Sequence, residues 1–349
     1  MKKNIDLEKK GILLVNLGSP NSPSSADVKR YLREFLSDSR VVTAPYLIRK
    51  FIVEALILPR RPKRSAEAYQ KIWLAEGSPL IVISQRLKEA LSERLPVPIS
   101  LSMRYGNPTI PSGLNDLYEQ GIWDVLIFPL YPQYAMSTSE SVIVEVLRIR
   151  KKYFRNMKIS FFPPFYRFQR YLDAFEESIL AVLPERVDHI LFSYHGVPEK
   201  HIYKTDRTGH CKIDDVCCGA ASEAHVYCYR HQCYETTRGV VARLGFPSAR
   251  YSTSFQSRLG NDAWLRPYTD EILKSLADSG VRNLAVVAPA FTTDCLETLE
   301  EIAIGGKSIF LQAGGENFTY IPCLNTREAW VKTLSYWCKA WLEKGELFG

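Results

Sequence analysis

The stretch VDHILFSYHG, Val187–Gly196, enters on charge, runs apolar through HILFSY and leaves on a glycine. A short apolar run bounded this way reads as a strand covered on both faces, the kind a parallel sheet needs. Three further stretches have the same form: GILLVNLG (Gly11–Gly18), IWDVLIFPLYP (Ile122–Pro132) and VRNLAVVAPAF (Val281–Phe291). Amphipathic helices are predicted between them, at Asp27–Leu36, Ser84–Arg94, Phe168–Leu183 and Tyr268–Asp278. Strands alternating with helices predict an α/β fold with parallel sheets. Ligands are then expected at the carboxyl ends of the strands. The polar joint around Pro163–Pro164 places a boundary, giving predicted domains 1–165 and 166–318 and a closing segment 319–349. The last segment carries a helix, Thr326–Lys344, whose Trp330, Leu334, Trp337 and Trp341 recur at helical spacing and are expected in the core.

The 349 residues are 46% apolar and 24% charged, which fits a soluble globular chain long enough for two domains. A net charge of +7 favours acidic ligands or membrane surfaces only weakly and gives no reason to expect nucleic acid. The apolar run after MKKNIDLEKK is too short for a secretory signal, and no run approaches a membrane span. The expected location is therefore the reducing cytoplasm, where clustered cysteines bind metal more often than they pair.

Two segments carry candidate chemistry. In SYHGVPEKH (Ser193–His201), His195 stands at the end of a predicted strand, placed for proton transfer or metal contact. The alternative there is a histidine satisfied by loop hydrogen bonds. In APAFTTDCLETLEEI (Ala288–Ile302), a helix is predicted to start near Thr293, with Asp294, Glu297 and Glu301 on one face and Thr293 or Asp294 as its cap. The alternative is a solvated acidic first turn. AIGGKSI (Ala303–Ile309) is no phosphate loop, because Glu301 stands where the first glycine would be needed. The apolar stretch from Pro45 to Leu58 is followed by the basic Arg60–Arg64. It could lie on a membrane, wall an apolar pocket or form a core helix.

With these residues in view, the chain resembles the ferrochelatases, which insert ferrous iron into a porphyrin. The matching stretches, in the family's order, are NLGSP (Asn16–Pro20), Tyr69 to GSPL (Gly77–Leu80), MRYGNP (Met103–Pro108), YPQYAMSTS (Tyr131–Ser139), SYHGVPE (Ser193–Glu199), SFQSRLGNDAWLRPYTDE (Ser254–Glu271) and DCLETLEEI (Asp294–Ile302). The resemblance implies two similar Rossmann-like, chelatase-type domains, the active-site cleft between them, and a C-terminal helix returning to the first. It implies His195 facing the porphyrin nitrogens, Glu297 beside it, Glu301 continuing the acidic row, and His195 with Glu297 meeting the substrate Fe²⁺. It implies a porphyrin pocket lined by Leu17, Tyr69, Arg104, Tyr105, Tyr131 and Trp264, under an apolar lip at 45–58 that touches membrane in some relatives. Cys295 stands where many relatives carry histidine. Expected partners are the porphyrin and its haem product, with peripheral contact at the inner face of the membrane. A coproporphyrin or other-metal chelatase, or a non-catalytic haem or metal sensor, remains the alternative.

His210–Cys233, a predicted insertion in the second domain, holds five of the eight cysteines and three of the six histidines. Its spacing, Cys211, Cys217, Cys218, Cys228 and Cys233, lacks the paired knuckles of common zinc sites. Four thiolates suffice for a [2Fe–2S] cluster, which some ferrochelatases carry inside the chain. The reading favours that cluster on four of the five, the spare falling in the adjacent Cys217–Cys218 pair. Zinc, disulfides or free thiols are the other outcomes.

Overall fold

The computed structural model describes residues 9–345. The chain divides into two units. The first takes the residues up to Tyr131, Met136–Pro163 and the chain from Trp330 onward. The second takes Pro132–Ala135 and Pro164–Ala329.

The first unit is built on a parallel sheet of β1 (Lys10–Asn16), β2 (Ile99–Met103), β3 (Asp124–Pro129) and β4 (Lys158–Phe161), in the order β2-β1-β3-β4. Leu13, Val15, Val125 and Ile127 pack with Leu114 and Leu117 of helix Ile110–Glu119 and Val142 and Val146 of helix Ser141–Tyr153. Elsewhere in the sheet's packing, Phe128 stacks on Phe162 at 4.1 Å, and both rings meet Trp337 of helix Glu328–Lys344. Strands covered on both faces carry continuous apolar runs, which is why this one is legible in GILLVNLG.

The second unit repeats the plan with β5 (His189–His195), β6 (Tyr251–Gln256), β7 (Asn283–Val287) and β8 (Asn317–Tyr320), parallel and ordered β6-β5-β7-β8. Leu191, Leu284 and Val286 pack against Leu273, Ala277, Ile302 and Phe310. The two predicted features, α/β class and parallel sheets, are what the chain folds into.

Two local expectations need correction. The helix predicted from Thr293 starts later, because Cys295 is its N-cap. A single turn, Leu296–Thr298, passes into a π-helix, Leu299–Gly306. Asp294 therefore precedes the helix, buried beneath it, and does not share a face with Glu297 and Glu301. The stretch after Pro45 is helical at Tyr46–Phe51 and a π-turn at Ile52–Ile57, but it is no core helix. Tyr46, Leu47, Ile48, Phe51 and Leu56 are all more than half exposed, and only Val53 and Leu58 are buried. No described helix is long and apolar enough to cross a membrane.

Candidate active site and thiol segment

The carboxyl edge of the second sheet gathers the candidate chemistry. β5 ends on His195, half-buried, with its ring edge-on to Phe291 at 6.2 Å. The imidazole Nδ1 lies 2.6 Å from the Gly196 carbonyl oxygen. A carbonyl only accepts, so Nδ1 carries a proton, and in the neutral imidazole it is Nε2 that keeps the lone pair. The chain turns at Gly196 because nothing larger fits: a Cβ there would stand 2.9 Å from the Gln256 carbonyl oxygen and 3.3 Å from Trp264. Trp264 is thereby fixed beside the histidine turn, its indole N–H donating to the Leu259 carbonyl at 3.2 Å.

The neighbouring strand β6 supplies two residues that sequence reasoning missed. Buried Gln256 accepts from the Ser193 hydroxyl at 2.7 Å and donates to the Glu297 main-chain carbonyl at 2.7 Å. Ser257, held at φ 64°, donates its N–H to Glu301 at 2.8 Å and its hydroxyl to the other carboxylate oxygen. Burial pushes the Glu301 carboxyl above the usual range, against the opposing pull of the Ser257 hydroxyl and His195; Glu297 adds to the rise. A cavity of about 240 Å³, lined by Gln256, Ser257, Arg258, Asp270 and Glu301 among others, opens at this carboxylate. Asp294 is structural: it accepts from Tyr320 at 2.5 Å, Thr298 at 3.0 Å and Asn325 at 2.6 Å, anchoring the start of the helix. The sequence signal for Gln256 and Ser257 was faint, since YSTSFQ reads too polar for a buried strand.

The remaining predicted residues lie in the first unit. Arg104 and Tyr105 follow β2, and their amides donate to the Asn16 and Leu17 carbonyls at 2.8 and 2.9 Å. The backbone there is tight: Gly18 has φ 111°, and a Cβ on it would collide with the Tyr105 carbonyl. Arg104 is not a free cation. It pairs with Asp38 at 2.7 Å, donates to Ser141 and lies 4.4 Å over the Tyr105 ring. Tyr105 is buried, its hydroxyl on Asp38 at 2.9 Å. Tyr131 is also buried and packs with Leu17 in the same core. Tyr69, buried on helix Arg61–Ile72, sets its ring edge-on to Trp73 instead. Leu17, Arg104, Tyr105 and Tyr131 thus share the carboxyl edge of the first sheet, and Tyr69 lies on a helix outside the sheet.

In the segment His210–Cys233 all five cysteines are buried, and none of the chain's eight is in a disulfide. The Cys228 thiol lies near both Cys211 and Cys218. Burial pushes the Cys211 thiol up to about 11 and the Cys233 thiol well above its ordinary value. The three histidines are spent on the backbone: His210 and His225 donate to the Cys217 carbonyl at 2.7 and 3.0 Å, and His231 to that of Cys218 at 2.9 Å. Arg230 donates to the Cys218 sulfur at 3.0 Å and the Asp214 carbonyl at 2.6 Å, pinning the Cys217–Cys218 turn. Among the described residues, no three His, Cys, Asp or Glu side chains converge as a metal site. The segment offers buried sulfur donors with its imidazoles committed elsewhere, but those donors do not stand as a ready-made metal site.

Comparison with known proteins gives the family. The ferrochelatase family model matches residues 9–341. The chain is 46% identical over 335 residues to a ferrochelatase of Stutzerimonas stutzeri, covering 95% of this chain and 98% of that one. It is 43% identical over 338 residues to a ferrochelatase of Opitutus terrae, covering 96% and 98%. Among solved structures, the Bacillus subtilis protein SirB with Fe³⁺ shares the fold, with a TM-score of 0.54 at 14% identity over 97% of this chain and 98% of that one. A sirohydrochlorin chelatase SirB in complex with cobalt, from Bacillus subtilis subspecies spizizenii, aligns with a TM-score of 0.55 at 13% identity over the same shares. With a family model spanning nearly all of the chain and relatives this similar along their whole length, the chain belongs to the ferrochelatase family.

Proposed function

We propose that this chain inserts Fe²⁺ into protoporphyrin IX to form protohaem, with His195 as the base and Glu297 and Glu301 as its carboxylate partners. What supports the reading is that His195 closes β5 and that both it and Glu297 act electrostatically on Glu301, in a chain of this family. A free-base porphyrin releases two pyrrole N–H protons as one Fe²⁺ enters. His195 Nε2, with its lone pair free, receives a proton. Glu297, beside it in the reading, meets the arriving Fe²⁺ together with His195. Glu301, close enough to feel the imidazole's charge, stabilises the imidazolium and passes the proton toward the cavity at Ser257 and Arg258. Leu17, Tyr69, Arg104, Tyr105, Tyr131 and Trp264 are proposed to hold the macrocycle. Because Arg104 is already paired with Asp38, its role is to orient this polar knot rather than to neutralise a propionate alone.

The test is anaerobic iron insertion. Wild type should turn over, and His195→Ala should lose at least about 100-fold in kcat. Normal turnover by that variant would remove His195 as the base. Faster insertion into coproporphyrin than into protoporphyrin IX would replace the named substrate.

We further propose that four of Cys211, Cys217, Cys218, Cys228 and Cys233 hold a [2Fe–2S] cluster. Such a cluster would cross-link the segment and supply a one-electron centre. The support is the buried thiol set with its histidines otherwise engaged. An anaerobically purified sample should show cluster absorption and acid-labile sulfide, and a colourless, folded, active protein would count against it. The exposed apolar face of Tyr46–Phe51, with the basic Arg60–Arg64 after it, supports peripheral contact with the inner face of the membrane from the cytoplasm. Sedimentation with anionic vesicles should fall in a Leu47→Ser, Phe51→Ser variant.

A further inference from the structure

The thiol segment and the histidine turn meet at one hydroxyl. Tyr229 follows Cys228 directly and opens helix Tyr229–Leu244. It is buried, and its Oη donates to the main-chain carbonyl of His195 at 2.8 Å. Cys233, one turn along the helix, lies near the same hydroxyl.

The peptide unit involved is the one joining His195 to Gly196. Its carbonyl oxygen is held by Tyr229, and its N–H donates to the Gln256 carbonyl at 2.6 Å. The peptide plane is thus clamped at both ends, by β6 on one side and by the cysteine-bearing helix on the other. The imidazole is fastened to the next carbonyl through Nδ1, so its direction follows this plane. Freeing one end lets the plane tilt and carries the ring with it.

We propose that Tyr229 is a positioning residue for the reaction. Its hydroxyl fixes the His195–Gly196 peptide, and makes the aim of the imidazole depend on the start of the helix that bears Cys228 and Cys233. This rests on the reading of His195 as the base. Tyr229 does not touch the reacting atoms; it acts through His195. Movement at the head of this helix is transmitted to the histidine within one covalent neighbour and one hydrogen bond.

The test uses the full chain and the variants Tyr229→Phe, His195→Ala and Thr237→Val. Thr237 lies on the same helix and bonds the Tyr194 hydroxyl at 2.8 Å, so its loss is a buried-hydroxyl control that leaves the His195 peptide clamped. Steady-state insertion is measured together with the imidazole resonances of histidine-labelled protein, the His195 signals being assigned by their absence in His195→Ala. Tyr229→Phe should lower kcat about tenfold while KM for porphyrin stays within about twofold, and should displace the His195 resonances. Thr237→Val should leave both unchanged. Unmoved His195 resonances in Tyr229→Phe, or an equal loss in Thr237→Val, would overturn the proposal. Wild-type turnover by His195→Ala would instead strike the base assignment, and the resonances would still test the clamp.

Discussion

Glu301 is a carboxylate under two opposed influences, and Ser257 is the adjustable one. Burial and Glu297 favour its neutral form; the two donors of Ser257 and the charge of His195 favour the anion. The net shift is upward from 4.5. A proton relay that needs the anion therefore loses activity on the acid side at a pH above the ordinary carboxylate value. Ser257→Ala keeps the backbone donor and removes the hydroxyl, so the carboxyl should rise further. The acid limb of kcat against pH should move to higher pH by about one unit, the effect of one hydrogen bond to a charged group. Profiles of wild type and variant in one buffer series check this. A limb that stays in place would take Glu301 out of the relay.

At the scale of elements, the last helix is tied to the first strand by one lysine. Lys10 is buried, yet its Nζ donates to the Trp341 and Leu342 carbonyls at 3.2 and 3.0 Å and sits 4.6 Å over the Trp341 ring. A cation at a helix C-terminus adds a charged donor to the last carbonyls and complements the helix dipole. Lys10→Met keeps the aliphatic packing and removes the charged donor from both carbonyls, leaving the Trp341 carbonyl with its bond from the Gly345 N–H. It should cost about 1–2 kcal/mol in urea unfolding and leave iron insertion untouched. The same scale shows why part of the fold was legible and part was not. The four apolar runs became β1, β3, β5 and β7, which are the inner pair of each sheet and are covered on both faces. The strands missed are the four at the edges. In β6 the hydroxyls that make YSTSFQ look like a loop are each occupied, Ser252 by His189, Ser254 by Thr269 and Thr253 by Thr237. Polar strands of this kind are visible only once their partners are. The histidine drew attention because it closes an inner strand, and the two glutamates because they follow one in the chain. Gln256 and Ser257 did not, because they lie at the end of an edge strand and just past it, and Asp294 was misplaced because the helix was started before its N-cap, Cys295.

For the whole molecule, acid sensitivity should come in two stages, and histidines set the first. Burial lowers His189 and His201 from 6.5 to about 4, with Arg250 adding to the first and Lys200 and Lys204 to the second. In the unfolded chain both take up a proton near 6.5; in the folded one they stay neutral until about 4. The unfolded state thus binds more protons across that window, so stability falls as pH drops through it and levels off below. Carboxylates held below their usual range take over only at lower pH, as with Asp188, which accepts from the Asn283 backbone and side chain. The two histidines differ in how cleanly they can be tested. His189 bonds Ser252, whose hydroxyl would be stranded by its removal. Both ring nitrogens of His201 are buried without a hydrogen-bond partner among the described residues. His201→Leu should therefore be close to neutral at pH 7, and at pH 4.5 should be more stable than wild type by about 2 kcal/mol. Urea unfolding at the two pH values reads this directly. An equal loss of stability between pH 7 and 4.5 in both proteins would show that the His201 ring meets its proton in the folded state as readily as in the unfolded one.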